Sequence, residues 1–151
     1  MRNFKKYNSF DSKELKAATK VIKSGNLSNF LGEYSKDFFG GPKVREFEKK
    51  CRTFFKVKHA ITVNSWTSGL ICAVGAIDIQ PGDEIILPPW TMSACATSIL
   101  HWNAIPVFAD IEKETYNLDP KEVIKKISKR TRAIMAVVIF GHPCNIVELK
   151  K

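Results

Sequence analysis

Val63-Asn-Ser-Trp-Thr-Ser-Gly-Leu70 is the segment of this chain best suited to holding a ligand. An apolar run ends at Val63, and small hydroxyl residues open a helix-like stretch directly after it. The first amides of a helix have no intrahelical acceptor, and together with the helix dipole they attract an anion. The hydroxyls of Ser65 and Thr67 are donors of the kind a phosphate accepts. Ser and Thr are also ordinary N-caps, so this segment alone favours capping without a ligand.

Other constellations are weaker. Gly141-His-Pro-Cys144 sets a histidine beside a thiol just past an apolar run, where open α/β sheets keep their sites. A Cys–His nucleophile needs a third, orienting group; none is recognisable, and a turn is the plainer reading. His59, His101 and His142 are far apart and form no ligand pattern, so no metal site and no catalytic residue is assigned. The chain has no G-x-x-x-x-G-K-[ST], G-x-G-x-x-G or H-E-x-x-H, which leaves NTP, dinucleotide and zincin readings without support. Cys51, Cys72, Cys95 and Cys144 lack C-x-x-C spacing and read as reduced, partly buried small hydrophobes.

The elements that must position these residues follow from pattern. With 151 residues, 44% hydrophobic and 26% charged, the chain supports one ordinary core and no wholesale disorder. It has no apolar run of about 18 residues to span a membrane, and Met1-Arg-Asn-Phe-Lys-Lys is not followed by a leader's apolar region. A cytoplasmic location is therefore expected. The net charge of +9 is unevenly spread. Residues 1–58 hold 15 Lys/Arg against 6 Asp/Glu, residues 59–120 hold 1 against 7, and residues 121–151 hold 8 against 2. The motif-bearing middle is thus acidic, and the basic residues fall at helical spacing. Solvated helix faces explain that better than a nucleic-acid surface.

Asp11-Ser-Lys-Glu14 predicts a capping box and a helix with Leu15, Ala18 and Ile22 on one face, stopped at Gly25. Residues 25–41 read as a long loop with exposed aromatics. Pro42 opens a second amphipathic helix to about Phe55. From His59 the pattern alternates: strand 59–63, buried helix 67–77, strand 84–87, helix 91–102 and strand 105–109. A helix capped by Asp119 follows, with Val123, Ile124 and Ile127 as its buried stripe, and then a strand over 132–140. That order predicts an α/β fold with a parallel sheet flanked by helices in three layers. Nothing after Phe140 offers a helix to cover the last strand, so the sheet reads as interrupted at its C-terminal side.

From about Gly41 onward the chain resembles the DegT/StrS-type aminotransferases, fold-type I enzymes that use pyridoxal 5'-phosphate (PLP) on nucleotide-linked keto-sugars. The matching stretches are Gly40-Gly-Pro-Lys-Val-Arg-Glu-Phe-Glu48, Val63-Asn-Ser-Trp-Thr-Ser-Gly-Leu70 and Pro81-Gly-Asp-Glu-Ile-Ile86. Pro89-Trp-Thr-Met-Ser-Ala94, Ile105-Pro-Val-Phe-Ala-Asp-Ile111 and Thr131-Arg-Ala-Ile134 continue the series in order. The resemblance implies a PLP large domain over residues 41–151 behind an arm of residues 1–40. It implies that Trp66, through its amide, and Thr67 hold the PLP phosphate, and that Met92 covers the PLP ring where the family usually has an aromatic residue.

The family's Schiff-base lysine, its acidic partner for the pyridine nitrogen and the position separating its dehydratase branch all lie downstream of these stretches. The expectation is therefore a truncated aminotransferase, inactive alone. Its full-length relatives would use a nucleotide-linked keto-sugar and an amino-acid donor, as homo-oligomers, without nucleic-acid or membrane partners. The alternative is a non-catalytic binding or assembly module that keeps a partial phosphate site.

Overall fold

The computed structural model describes residues 7–27 and 29–151; residues 1–6, which carry the expectation of no leader, lie outside the described residues. The described residues fall into two units, one ending at Thr62 and the other running from Val63 to Lys151.

In the first unit, helix α1 (Ser12–Lys23) starts at the expected capping box. The Asp11 carboxylate accepts the Lys13 amide at 2.7 Å, and the Asp11 amide donates to Glu14 at 2.9 Å. Helix α2 (Pro42–Phe55) begins on its proline as expected. Neither helix buries a residue, and Phe47, Phe54 and Phe55 lie at the surface. The strand expected over 59–63 does not form. The Thr62 amide and hydroxyl both donate to the Glu48 carboxylate at 2.8 Å, and no strand runs beside this stretch among the described residues.

The second unit is a three-stranded parallel sheet between helix layers, the α/β architecture expected. In chain order it comprises α3 (Trp66–Gly75), β1 (Glu84–Leu87), α4 (Ser93–Leu100), β2 (Ile105–Phe108), α5 (Pro120–Lys126), β3 (Thr131–Ile134) and α6 (Ile146–Leu149). The strand order is β2-β1-β3. Successive strand residues face opposite ways. Ile85 and Leu87 accordingly pack with Val74, Cys95, Ile99 and Ala104 on the α3–α4 side. Ile86 packs with Ala109, Leu118 and Val123 on the α5 side, where Leu149 of α6 joins them. Burying these residues is the main stabilising term, at about 1.5–3 kcal/mol for each large aliphatic side chain.

Several expectations need correcting. The strand expected over 132–140 is regular only to Ile134, with one further bond from the Met135 amide to the Ile86 carbonyl at 2.7 Å. Its neighbour β1 ends at Leu87, so the second half has no ladder partner. A one-turn helix, α6, does follow Phe140, capped by Asn145. In α5 only Val123 of the expected stripe is buried. Ile124 lies about 100° round the helix from it, Ile127 lies past the helix end, and both are exposed. Helix α3 is covered on one side only, where Val74 is buried, and Cys72 faces solvent.

Two contacts fix this unit. Trp102, just past α4, donates its indole N–H to the Ile71 carbonyl at 2.9 Å, and its ring sits where a Cβ on Gly75 would be. The C-terminal ends of α3 and α4 therefore meet, and the two helices pack side by side in the same sense. The buried Glu84 carboxylate receives the Ser128 hydroxyl at 2.5 Å, Arg130 Nη2 at 2.6 Å and Arg130 Nε at 2.9 Å. These bonds lie just before a register shift at which Thr131 pairs with Glu84 and Ala133 with Ile85. The Ser128 hydroxyl, and then the Arg130 guanidinium, hold the Glu84 carboxyl below the usual carboxylate range.

Two measurements check these contacts. Gly→Ala in a helix ordinarily gains up to about 1 kcal/mol. At Gly75 the overlap with Trp102 reverses the sign, and Gly75→Ala should cost about 1–3 kcal/mol by denaturant titration. Glu84→Gln should lower the melting temperature at pH 7. Because the folded pKa is depressed, the carboxylate's contribution is complete above its unfolded value of about 4.3 and fades as pH falls through the lower folded value. The gap between wild type and variant should therefore close in acid. A gap that widens would refute this role for Glu84.

Candidate functional site

Parallel strands send all their C-terminal ends to one edge, and open α/β sheets bind ligands outside that edge. Helix α4 starts there, after β1. Since α3 runs beside α4 in the same sense, its N-terminus lies at the same edge. The structure thus brings Trp66 and Thr67, at the start of α3, to the same end of the sheet as Met92, the N-cap of α4.

Ser65 is the N-cap of α3 in extended conformation. Its hydroxyl oxygen accepts the Ser68 amide at 3.1 Å and lies 3.0 Å from the Ser68 hydroxyl. Ser65 therefore serves the cap, with its own O–H directed at the Ser68 hydroxyl. Trp66 and Thr67 are the first two helical residues, so their amides have no intrahelical acceptor. Among the described residues the Thr67 hydroxyl has no hydrogen-bond partner, and both side chains are exposed. Residues 59–77 contain no carboxylate. Two open amides, one hydroxyl and a helix dipole suit the donor needs of a phosphate monoester. The residues present therefore fit the phosphate of PLP. Met92 has no side-chain capping bond and is 73% exposed, free to lie against a flat ring. Beside it the Thr91 hydroxyl and Cys95 thiol are 3.0 Å apart, closing the turn.

Gly141-His-Pro-Cys144 does not form a nucleophile. Cys144 is buried, and among the described residues no hydrogen bond joins it to His142. Nor, among the described residues, does any group of three or more His, Cys, Asp or Glu side chains offer a metal site. No helix there is long and apolar enough to cross a membrane.

Three residues at this edge escaped the sequence reading. Asn117 is fully buried; its Nδ2 donates to the His142 carbonyl at 3.0 Å, and its Oδ1 accepts the Ile139 amide at 3.3 Å. It clamps the loop after β2 to the turn after β3, where Phe140 holds a left-handed φ of +50°. Its neighbour Tyr116 also has a left-handed φ, +59°, and its ring stands 6.5 Å from that of Trp90. No periodicity marks these residues, because each acts through a loop–loop contact.

The family model of the DegT/DnrJ/EryC1/StrS aminotransferases matches residues 9–151. Over 133 residues the chain is 40% identical to the spore coat polysaccharide biosynthesis protein SpsC of Bacillus subtilis, covering 88% of this chain and 31% of SpsC. It is 39% identical to GDP-perosamine synthase of Vibrio cholerae, covering 94% of this chain and 36% of the synthase. A solved structure of NtdA from Bacillus subtilis with bound cofactor PMP superposes with a TM-score of 0.79 at 26% identity, covering 90% of this chain and 29% of NtdA. The chain thus spans about a third of the length of its curated relatives.

Removing the Asn117 clamp leaves the Ile139 amide without its protein acceptor. Asn117→Ala should cost about 1–3 kcal/mol and speed amide hydrogen exchange in residues 139–142 above the rest of the sheet. Uniform exchange across the unit would count against a local clamp.

Proposed function

The chain belongs to the DegT/DnrJ/EryC1/StrS aminotransferase family, and on that premise we propose that residues 63–151 carry the cofactor-phosphate end of a PLP-dependent sugar aminotransferase. The reaction passes an amino group from an amino acid such as glutamate to a nucleotide-linked keto-sugar, for the building of cell-surface polysaccharide. Similarity to a GDP-perosamine synthase and to a spore coat polysaccharide protein supports that class of substrate.

The observation that carries the proposal is the start of α3. The amides of Trp66 and Thr67, with the Thr67 hydroxyl, hold the phosphate, aided by the dipole of a ten-residue helix. Met92 lies against the ring from the start of α4. PLP, when bound, supplies an electron-withdrawing ring for amino-group transfer. In this reading residues 1–40 are an arm and 41–151 part of the cofactor domain. No lysine of the 151 residues sits in the family's matching context, so in this reading none of them is assigned to the cofactor's carbonyl. Cytoplasmic homo-oligomers belong to the same reading, and the apolar stripe that α2 leaves at the surface supports assembly.

Calorimetry with pyridoxamine 5'-phosphate tests the site without lysine chemistry. Thr67→Ala should weaken binding by roughly tenfold, the worth of one hydrogen bond to a charged group, and borohydride treatment with PLP should mark no single lysine. Equal affinities, or one stoichiometrically modified lysine, would overturn this reading.

A further inference from the structure

The chain order and the helix layers locate a crevice that the phosphate site does not use. Strands β1 and β2 are neighbours and parallel. The connection leaving β1 runs to α4 on the face of Ile85 and Leu87, whereas the connection leaving β2 runs to α5 on the opposite face of Ile86. Adjacent strands whose connections part to opposite faces open a crevice at their C-terminal ends, where open α/β sheets place ligands. Trp90 lies in the loop leaving β1, and Tyr116 in the loop leaving β2.

Their rings pair across these two loops, with centroids 6.5 Å apart and planes tilted by 41°. Trp90 is 51% and Tyr116 49% exposed, so each keeps about half its surface open beyond their mutual contact. Tyr116 holds that position against its own backbone preference. Its φ of +59° is a region that bulky residues rarely enter. A bond from its amide to the Glu112 carbonyl at 2.9 Å, and the buried neighbours Asn117 and Leu118, keep it there. A bulky aromatic held in a strained conformation, yet half open to solvent, is the pattern of a residue kept for contact with a ligand.

We propose that Trp90 and Tyr116 form the wall on which the base of the nucleotide-linked substrate stacks. The proposal rests on the sugar-aminotransferase reading and adds where the nucleotide end is held. Stacking reads the flat face of any base, so the wall contributes affinity for the nucleotide while leaving discrimination to ring area. A purine, having the larger face, gains more than a pyrimidine.

Calorimetry of the 151-residue protein with GDP, UDP and inorganic pyrophosphate separates base from phosphate. The expected order is GDP tightest, then UDP, then pyrophosphate. Trp90→Ala and Tyr116→Ala should each weaken GDP by about tenfold, within the range measured for stacking one base, and leave pyrophosphate unchanged. Trp90→Phe should recover most of the loss. Tyr116→Gly keeps the fold testable, because glycine accepts this φ: it should hold the melting temperature and lose the base-dependent part of binding. Nucleotides no tighter than pyrophosphate, or aromatic variants that bind GDP like wild type, would overturn the wall. Pyridoxamine 5'-phosphate, titrated in parallel, tells the two readings apart. If it binds through Thr67 while the base effect is missing, the wall alone fails. If the base effect is present and Thr67→Ala changes nothing, the phosphate reading fails and the wall stands.

Discussion

Strand β1 hydrogen-bonds to a neighbour on each edge and packs side chains against a helix layer on each face, and every other element of the second unit takes its place from it. All four of its residues are buried. Such a strand tolerates no polar group without a partner, which is why its one charged residue, Glu84, carries both Ser128 and Arg130. That carboxylate also anchors the entry to β3, since both its partners lie just before the point where β3 shifts against β1. Four residues set the length of regular pairing as well, and the extended sequence after Ile134 leaves the ladder once β1 has ended.

The same constraint explains why the candidate sites share one edge. Parallel pairing sends the loops after β1, β2 and β3 in one direction, and the Trp102 contact turns the start of α3 toward them. A phosphate at that start meets no carboxylate within residues 59–77, although residues 59–120 carry a net negative charge.

Legibility followed the range of the interactions. Features set by neighbours in sequence were readable: the Asp11 capping box, Pro42 as a first helical residue, and the Asp119 cap all stand where their types predicted. The buried strand β1 was equally plain, as an apolar run between turns. What failed depended on partners far along the chain. Residues 59–63 have strand-like composition, but Glu48 takes the amide and hydroxyl of Thr62. Residues 135–140 have it too, but lack a neighbour to pair with. Of the residues proposed for the site, Thr67 stands out from its helix-opening context. Asn117, Tyr116 and Trp90 do not, because a loop–loop clamp and an aromatic pair have no period. The resemblance to sugar aminotransferases was carried by short ordered stretches, and the family match over residues 9–151 agrees with it.

The phosphate cradle proposed at the first turn of α3 is built mainly from main-chain donors. Following backbone amide resonances by NMR while adding pyridoxamine 5'-phosphate tests it most directly. The amides of Trp66 and Thr67 should shift first and saturate together, with those around Met92 following. Shifts confined to the surface lysines of residues 1–58, with Trp66 and Thr67 unmoved, would contradict it.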